Sequence, residues 1–183
     1  MLLQPNMTWT LNQKATQPSV YVDIEVTGDY LNISFSVEED EDCFRAEVKE
    51  DNGRSWEDSC VEIFLNDPTG KTQDYYNFEL TSRGCLLAAR GPDRGHRELL
   101  EKSDLDKVVR YTKPAAVAGN LICWELVVRI PALLFGLKSY VGATLKGNLY
   151  KCADKAKSPH YQSLFPIETE KPDFHRPEFF GEF

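Results

Sequence analysis

Histidine, methionine and net positive charge are scarce in this chain. Three of its 183 residues are histidine and two are methionine, and 21 Lys and Arg stand against 29 Asp and Glu. The net charge of −8 and pI near 5.0 would repel a phosphate backbone or an anionic membrane surface, which argues against nucleic acid and membrane as partners. No apolar run approaches the roughly 18 residues of a membrane-spanning helix. Met1-Leu2-Leu3-Gln4-Pro5 has neither the basic segment nor the apolar segment of a secretory leader. As written the chain reads as cytoplasmic; secretion or a periplasmic location is expected if a leader has been removed. Recognisable metal motifs are missing too. His96, His160 and His175 form no HExxH, and Cys43, Cys60, Cys85, Cys123 and Cys152 never take the CxxC spacing of a structural zinc site. Reduced, structural thiols are the expectation. No internal repeat or low-complexity linker interrupts the chain, and its length and 42% apolar content suit one domain over residues 1–183.

What is present is alternation. Apolar residues recur with period two over Val20–Val26, Tyr30–Val37, Phe44–Val48, Ser59–Leu65, Tyr75–Leu80, Cys85–Arg90, Val108–Val117, Leu121–Ile130 and Leu145–Cys152, with turn residues between them. So many strands in one domain predict an all-β, antiparallel β-sandwich of jelly-roll or immunoglobulin-like type. Helix signals are few. Pro131 to Gly136 reads as a single turn with Pro at its start and Gly as its stop, and Arg94 to Lys107 holds a second short helix.

Period two also assigns faces. Val61, Ile63 and Leu65 point inward, as do Tyr76, Phe78 and Leu80, then Leu145 and Leu149, and Trp124 falls on the core side of its strand. The opposite face then carries Glu62, Asn77, Glu79, Asn148 and Tyr150, read here as an outer, polar stripe with aromatic edges. A sugar site needs groups that donate and accept hydrogen bonds in the plane of the ring, and flat aromatics above or below it. Trp56 and Phe174, each in turn-forming sequence, supply such rings. Glu62, Asn77 and Asn148 supply the in-plane groups, with Arg83 and Arg90 as further candidates. Tyr161 stands in a loop ahead of the closing motif, and His175 is expected to anchor its loop or bind the sugar.

The ordered motifs Trp56-Glu57-Asp58-Ser59-Cys60-Val61-Glu62-Ile63-Phe64-Leu65, Asp74-Tyr75-Tyr76-Asn77-Phe78-Glu79, Arg83 to Gly91, Trp124 to Pro131, Gly147-Asn148-Leu149-Tyr150 and Phe174-His175-Arg176-Pro177-Glu178-Phe179-Phe180-Gly181 resemble the family 9 carbohydrate-binding modules. The resemblance runs from about residue 18 to 183 and leaves out the region of Trp9. It implies a DOMON-like β-sandwich, an ancillary module of xylanases and related polysaccharide-degrading enzymes working beside a glycoside hydrolase, often with structural calcium. It also implies a sugar clamped between two tryptophans. Trp56 matches the first, and Glu62 keeps the family's glutamate. Phe174 stands where the second tryptophan is expected and Asn77 where cellulose and xylan binders have Arg, so the particular sugar does not carry over. A disaccharide at about −0.3 kcal/mol per heavy atom gives a dissociation constant near ~10 μM at best.

Three other readings follow from the same residues. The acidic run Glu38-Glu39-Asp40-Glu41-Asp42 offers hard oxygens for calcium, although without EF-hand spacing it reads first as a solvated loop. Glu62 and Glu79 are a candidate glycosidase pair; with polar neighbours, neither is expected to have a raised pKa. The DOMON-like fold also serves haem domains, for which only Met1 and Met7, outside the matched region, supply methionine.

Overall fold

A computed structural model describes residues 1–183. Its strands form two antiparallel sheets. The smaller sheet contains β2 (Ser19–Val26), β3 (Tyr30–Asp40), β9 (Leu121–Pro131) and β8 (Val109–Ala118), in that spatial order. The larger runs β1 (Gln4–Pro5), β11 (Tyr161–Ser163), β10 (Lys146–Cys152), β4 (Cys60–Asn66), β5 (Tyr75–Thr81), β6 (Leu86–Gly91), β7 (Glu98–Leu99), with β12 (Gly181–Glu182) also on β10. Between the sheets lies one apolar cluster. Ile33, Phe35, Leu126 and Val128 meet Val61, Ile63, Leu65, Phe78, Leu80 and Leu149 there, and those of β4, β5 and β10 are the inward residues that alternation assigned.

Helix is confined to α1 (Thr10–Lys14), α2 (Lys102–Leu105) and 3-10 turns at Ser55–Glu57, Ala132–Phe135 and Pro177–Phe179. The turn after Pro131 forms as expected and stops at Gly136, whose φ of 71° is left-handed. The short helix expected within Arg94 to Lys107 forms as α2, and β7 takes an earlier part of that stretch. The expected strand Phe44–Val48 does not form. Its amides are claimed by side chains instead: Arg45 N–H donates to the Ser59 hydroxyl at 3.1 Å, and Glu47 and Val48 N–H donate to the Asp58 carboxylate at 2.6 and 2.7 Å. With those donors taken there is no ladder left to build.

The larger difference concerns the face read as outer. Glu62, Asn77, Glu79, Asn148 and Tyr150 are all buried. A second apolar cluster of Trp9, Cys60, Phe64, Tyr75, Tyr150, Cys152, Ile167 and Phe174 sits over that face. Both chain ends supply the cover. Trp9 Nε1 donates to Thr169 O at 2.8 Å, and Asn12 bonds both the carbonyl and the N–H of Tyr161.

A polar bridge crosses the sandwich interior. Lys151 on β10, fully buried, places Nζ 3.1 Å from Glu39 Oε2 on β3 and 2.8 Å from His160 Nε2. Trp124 Nε1 donates to the other Glu39 oxygen at 2.6 Å. Because Lys151 has only protons to give, His160 accepts at Nε2 and donates from Nδ1 to Ser158 O at 3.0 Å. Burial, then the Lys151 charge, push its pKa down to about 2.

Candidate functional site

The cover over the larger sheet is incomplete, and the gap is a cavity of about 250 Å³. Its floor comes from three adjacent strands: Glu79 on β5, Glu62 on β4 and Cys152 on β10. Glu62 lies directly opposite Glu79 in the β4–β5 register, so the two carboxyls share one face. One wall is Trp56, half-buried on the 3-10 turn Ser55–Glu57, whose carbonyl accepts from Asp154 N–H at 2.9 Å. Phe174 with Pro172, Asp173 and His175, and Tyr161 on β11, also line it. Arg94, Arg97 and Asp154 form the rim.

Phe174 is 7% exposed. It stacks on Tyr150 with ring centroids 4.1 Å apart and planes 5° from parallel, and it meets Trp9 at 6.4 Å and Tyr161 at 6.0 Å. Trp56 makes no such ring pairs and remains the open aromatic of the site.

Arg97 organises the polar side. Its Nη1 donates to Glu79 Oε1 at 3.2 Å and lies 3.3 Å from His175 Nε2. That nitrogen must accept, so His175 carries its proton on Nδ1 and gives it to the Tyr75 hydroxyl at 2.6 Å. Burial, with the Arg97 and Arg94 charges, lowers the His175 pKa to about 3, which keeps the ring neutral. Gly91 makes the approach of Arg97 sterically possible. A Cβ there would stand 2.5 Å from Arg97 Cα and 2.7 Å from His96 O. The turn that carries Arg97 is tied by Asp93 Oδ1, which accepts from Gly95 and His96 N–H at 2.8 and 3.0 Å.

The expectation of ordinary carboxyl pKa values for Glu62 and Glu79 is overturned by their burial. Burial and then the neighbouring Glu79 charge push Glu62 well up. Burial raises Glu79 to about 7 against the pull of Arg97. Cys152 Sγ donates to Glu62 Oε1 at 3.1 Å, and Asn77 Nδ2 donates to Glu79 Oε1 at 3.0 Å. A protonated carboxyl both donates and accepts, as a sugar hydroxyl does.

Of the candidates read from sequence, Trp56, Glu62, Tyr161, Phe174 and His175 line this cavity. Asn77 is buried behind it and touches Glu79. Asn148 ties the returning C-terminal segment, bonding both N–H and carbonyl of Phe165 at 2.9 Å. Arg90 pairs with Asp74 at 3.0 Å and lies over the Tyr76 ring. Arg83 borders a separate depression beside Arg110. Arg94, Arg97, Asp154 and Asp173 were not singled out; they lie in aperiodic, turn-rich sequence where only the third dimension groups them.

The acidic run does not fit calcium. Glu38, Glu39 and Asp40 alternate along β3, Glu39 turns inward to Lys151, and Asp42 pairs with Lys157 at 2.8 Å. Its carboxylates therefore face different ways and do not converge on one centre.

A family model described as carbohydrate-binding family 9 matches residues 4–183, a span that takes in the N-terminal segment and Trp9. The chain is also similar to the crystal structure of a candidate carbohydrate-binding protein from Bacteroides uniformis ATCC 8492. The two share 35% identity and a TM-score of 0.87, over 98% of this chain and 83% of that one. No curated protein matches.

Proposed function

Because the chain belongs to carbohydrate-binding family 9, we propose that the cavity between Trp56 and Phe174 holds one terminal ring of a mono- or oligosaccharide without chemical change to it. The supporting observation is the pairing of one half-buried indole with two buried carboxyls, Glu62 and Glu79, and with the partly buried Arg97 and His175 that are hydrogen-bonded beside them. Trp56 covers the C–H patch of a sugar ring, and the carboxyls and guanidinium read its hydroxyls. A volume of about 250 Å³ lies below the ~300–1,000 Å³ of drug-sized ligand sites, which fits a single ring with the rest of a chain outside. A role in polysaccharide utilisation, beside a glycoside hydrolase, is the biological setting this reading favours.

Two adjacent carboxyls of raised pKa also suit a glycosidase, but its carboxyls flank the scissile bond. Glu62 and Glu79 stand side by side on one floor, so the non-catalytic reading is preferred. Haem ligation is disfavoured because both ring nitrogens of His175 and of His160 are engaged, and His96, Met1 and Met7 are exposed and do not line the cavity.

Titration calorimetry against a panel of mono- and oligosaccharides tests the proposal. At least one should bind with a dissociation constant of roughly 10 μM or weaker, and Arg97→Ala should weaken it at least about tenfold. Silence across the panel, or binding indifferent to Arg97→Ala, contradicts it.

A further inference from the structure

At the floor of the cavity two thiols that the sugar-binding reading leaves without a task meet one of its carboxyls. Cys60 Sγ, Cys152 Sγ and a Glu62 carboxylate oxygen all lie within 4.8 Å of one another, and all three residues are buried. The cysteines are remote in sequence, yet they sit directly opposite each other in the β4–β10 register. Glu62, two residues after Cys60, shares its face of β4. Cys152 and Glu62 line the cavity, so the cluster opens toward solvent on one side. A further buried oxygen borders the same space: Glu79 Oε2 has no hydrogen-bond partner, and Glu79 is 2% exposed.

We propose that Cys60, Cys152 and Glu62 form a binding site for a thiophilic divalent cation of the zinc class, with its fourth position open to the cavity. Two sulfurs and one carboxylate are a donor set for zinc, and two sulfurs disfavour calcium or magnesium. Three protein ligands with one open position is the arrangement of zinc sites that take a water or substrate as the fourth ligand. Bonds of about 2.3 Å to sulfur and 2.0–2.2 Å to oxygen put tetrahedral donors under about 4 Å apart. Small side-chain rotations therefore close the cluster from its present spacing. Binding expels the two thiol protons, and the Glu62 proton where present, into solvent; no electron moves and no oxidant is required.

The test uses the full, reduced chain and two probes, Zn2+ competed against a chromophoric chelator and Co2+ read by absorption. The expected result is one cation per chain, thiolate-to-cobalt charge transfer in the near-ultraviolet, and the visible bands of a tetrahedral ion. Cys60→Ser and Cys152→Ser should each weaken Zn2+ binding by at least the roughly ten- to hundredfold that loss of an outer-shell partner alone costs, and Cys123→Ser, in the other sheet, should leave it unchanged. If either serine variant fails to fold, the native chain decides. Zn2+, and not Ca2+, should raise its Tm and slow alkylation of Cys60 and Cys152 in mild denaturant, with Cys85 and Cys123 unaffected. Octahedral cobalt spectra, Zn2+ binding indifferent to both serine variants, or a cross-strand disulfide in place of metal uptake would overturn the proposal. Sugar titrations of the chelator-treated protein report separately on carbohydrate binding, so failure of one reading does not mimic failure of the other.

Discussion

Tyr150 and Phe174 lie ring on ring, centroids 4.1 Å apart and planes 5° from parallel. One face of Phe174 is therefore spent inside the protein, and the Tyr150 hydroxyl donates to Phe174 O at 3.2 Å, pinning the loop that carries it. Phe174 is a structural wall first, and only its remaining surface is available to a sugar. The two aromatics expected to clamp a sugar thus play unequal parts, with Trp56 the less buried one.

Truncation of the two should separate those parts. Phe174→Ala empties a buried, stacked position and should destabilise by about 3–5 kcal/mol. Phe174→Trp, which puts a larger ring in the same place, should cost about 1–3 kcal/mol by overpacking against Tyr150 and Trp9. Denaturant unfolding measures both, and a stabilising Phe174→Trp would contradict this view of the wall.

Gly91→Ala should loosen the site without removing any of its polar groups. The added methyl meets Arg97 Cα and His96 O, so the turn must shift and Arg97 must leave Glu79. A loss of sugar affinity comparable to that of Arg97→Ala is expected. Unchanged affinity in a folded Gly91→Ala protein would mean that Arg97 is not positioned this way.

Stability should carry a signature of Glu79. Its folded pKa near 7 exceeds the usual 4.5, so the folded state holds the proton more tightly. The stability this gives is complete below about pH 4.5 and lost as pH rises through about 7. His175 and His160, depressed to about 3 and 2, act in the opposite sense, losing stability as pH falls below their usual 6.5. The prediction therefore concerns a difference. In metal-free protein, Glu79→Gln should gain stability relative to the native chain between pH 5 and pH 8, by a few kcal/mol at roughly 1.4 kcal/mol per pKa unit. Equal pH profiles for the two proteins would contradict it.

The Lys151–Glu39 bridge should behave as a buried pair. Lys151→Met or Glu39→Leu alone leaves a charge without its counter-ion and should cost about 3–5 kcal/mol. The double variant should recover most of that loss, and a double-mutant cycle by denaturant unfolding measures the recovery. Additive losses would show that the two residues are not coupled across the sandwich.

Much of the fold was legible because buried strands alternate, and the inward sets of β4, β5, β9 and β10 follow that pattern directly. The second face was misread for a physical reason. Glu62, Asn77 and Glu79 look solvent-facing by period two, and no local pattern shows that Trp9, Ile167 and Phe174 return from the chain ends to cover them. Phe44–Val48 alternates like a strand but loses its donors to Asp58 and Ser59. Arg97 was invisible because its placement depends on Gly91 and on the turn tied by Asp93. The pairing of Cys60 with Cys152 likewise exists only in the sheet register.

The most direct measurement of the central claim is a sugar titration of the native protein beside Trp56→Ala. The indole is half-buried on a surface turn and packs against the second apolar cluster, so its truncation should lower the unfolding midpoint while leaving the protein folded. Loss of the burial worth about 1.5–3 kcal/mol for a large apolar side chain should weaken binding by roughly tenfold or more. Equal affinity for native and Trp56→Ala proteins, with both folded, would contradict the assignment of this cavity to carbohydrate.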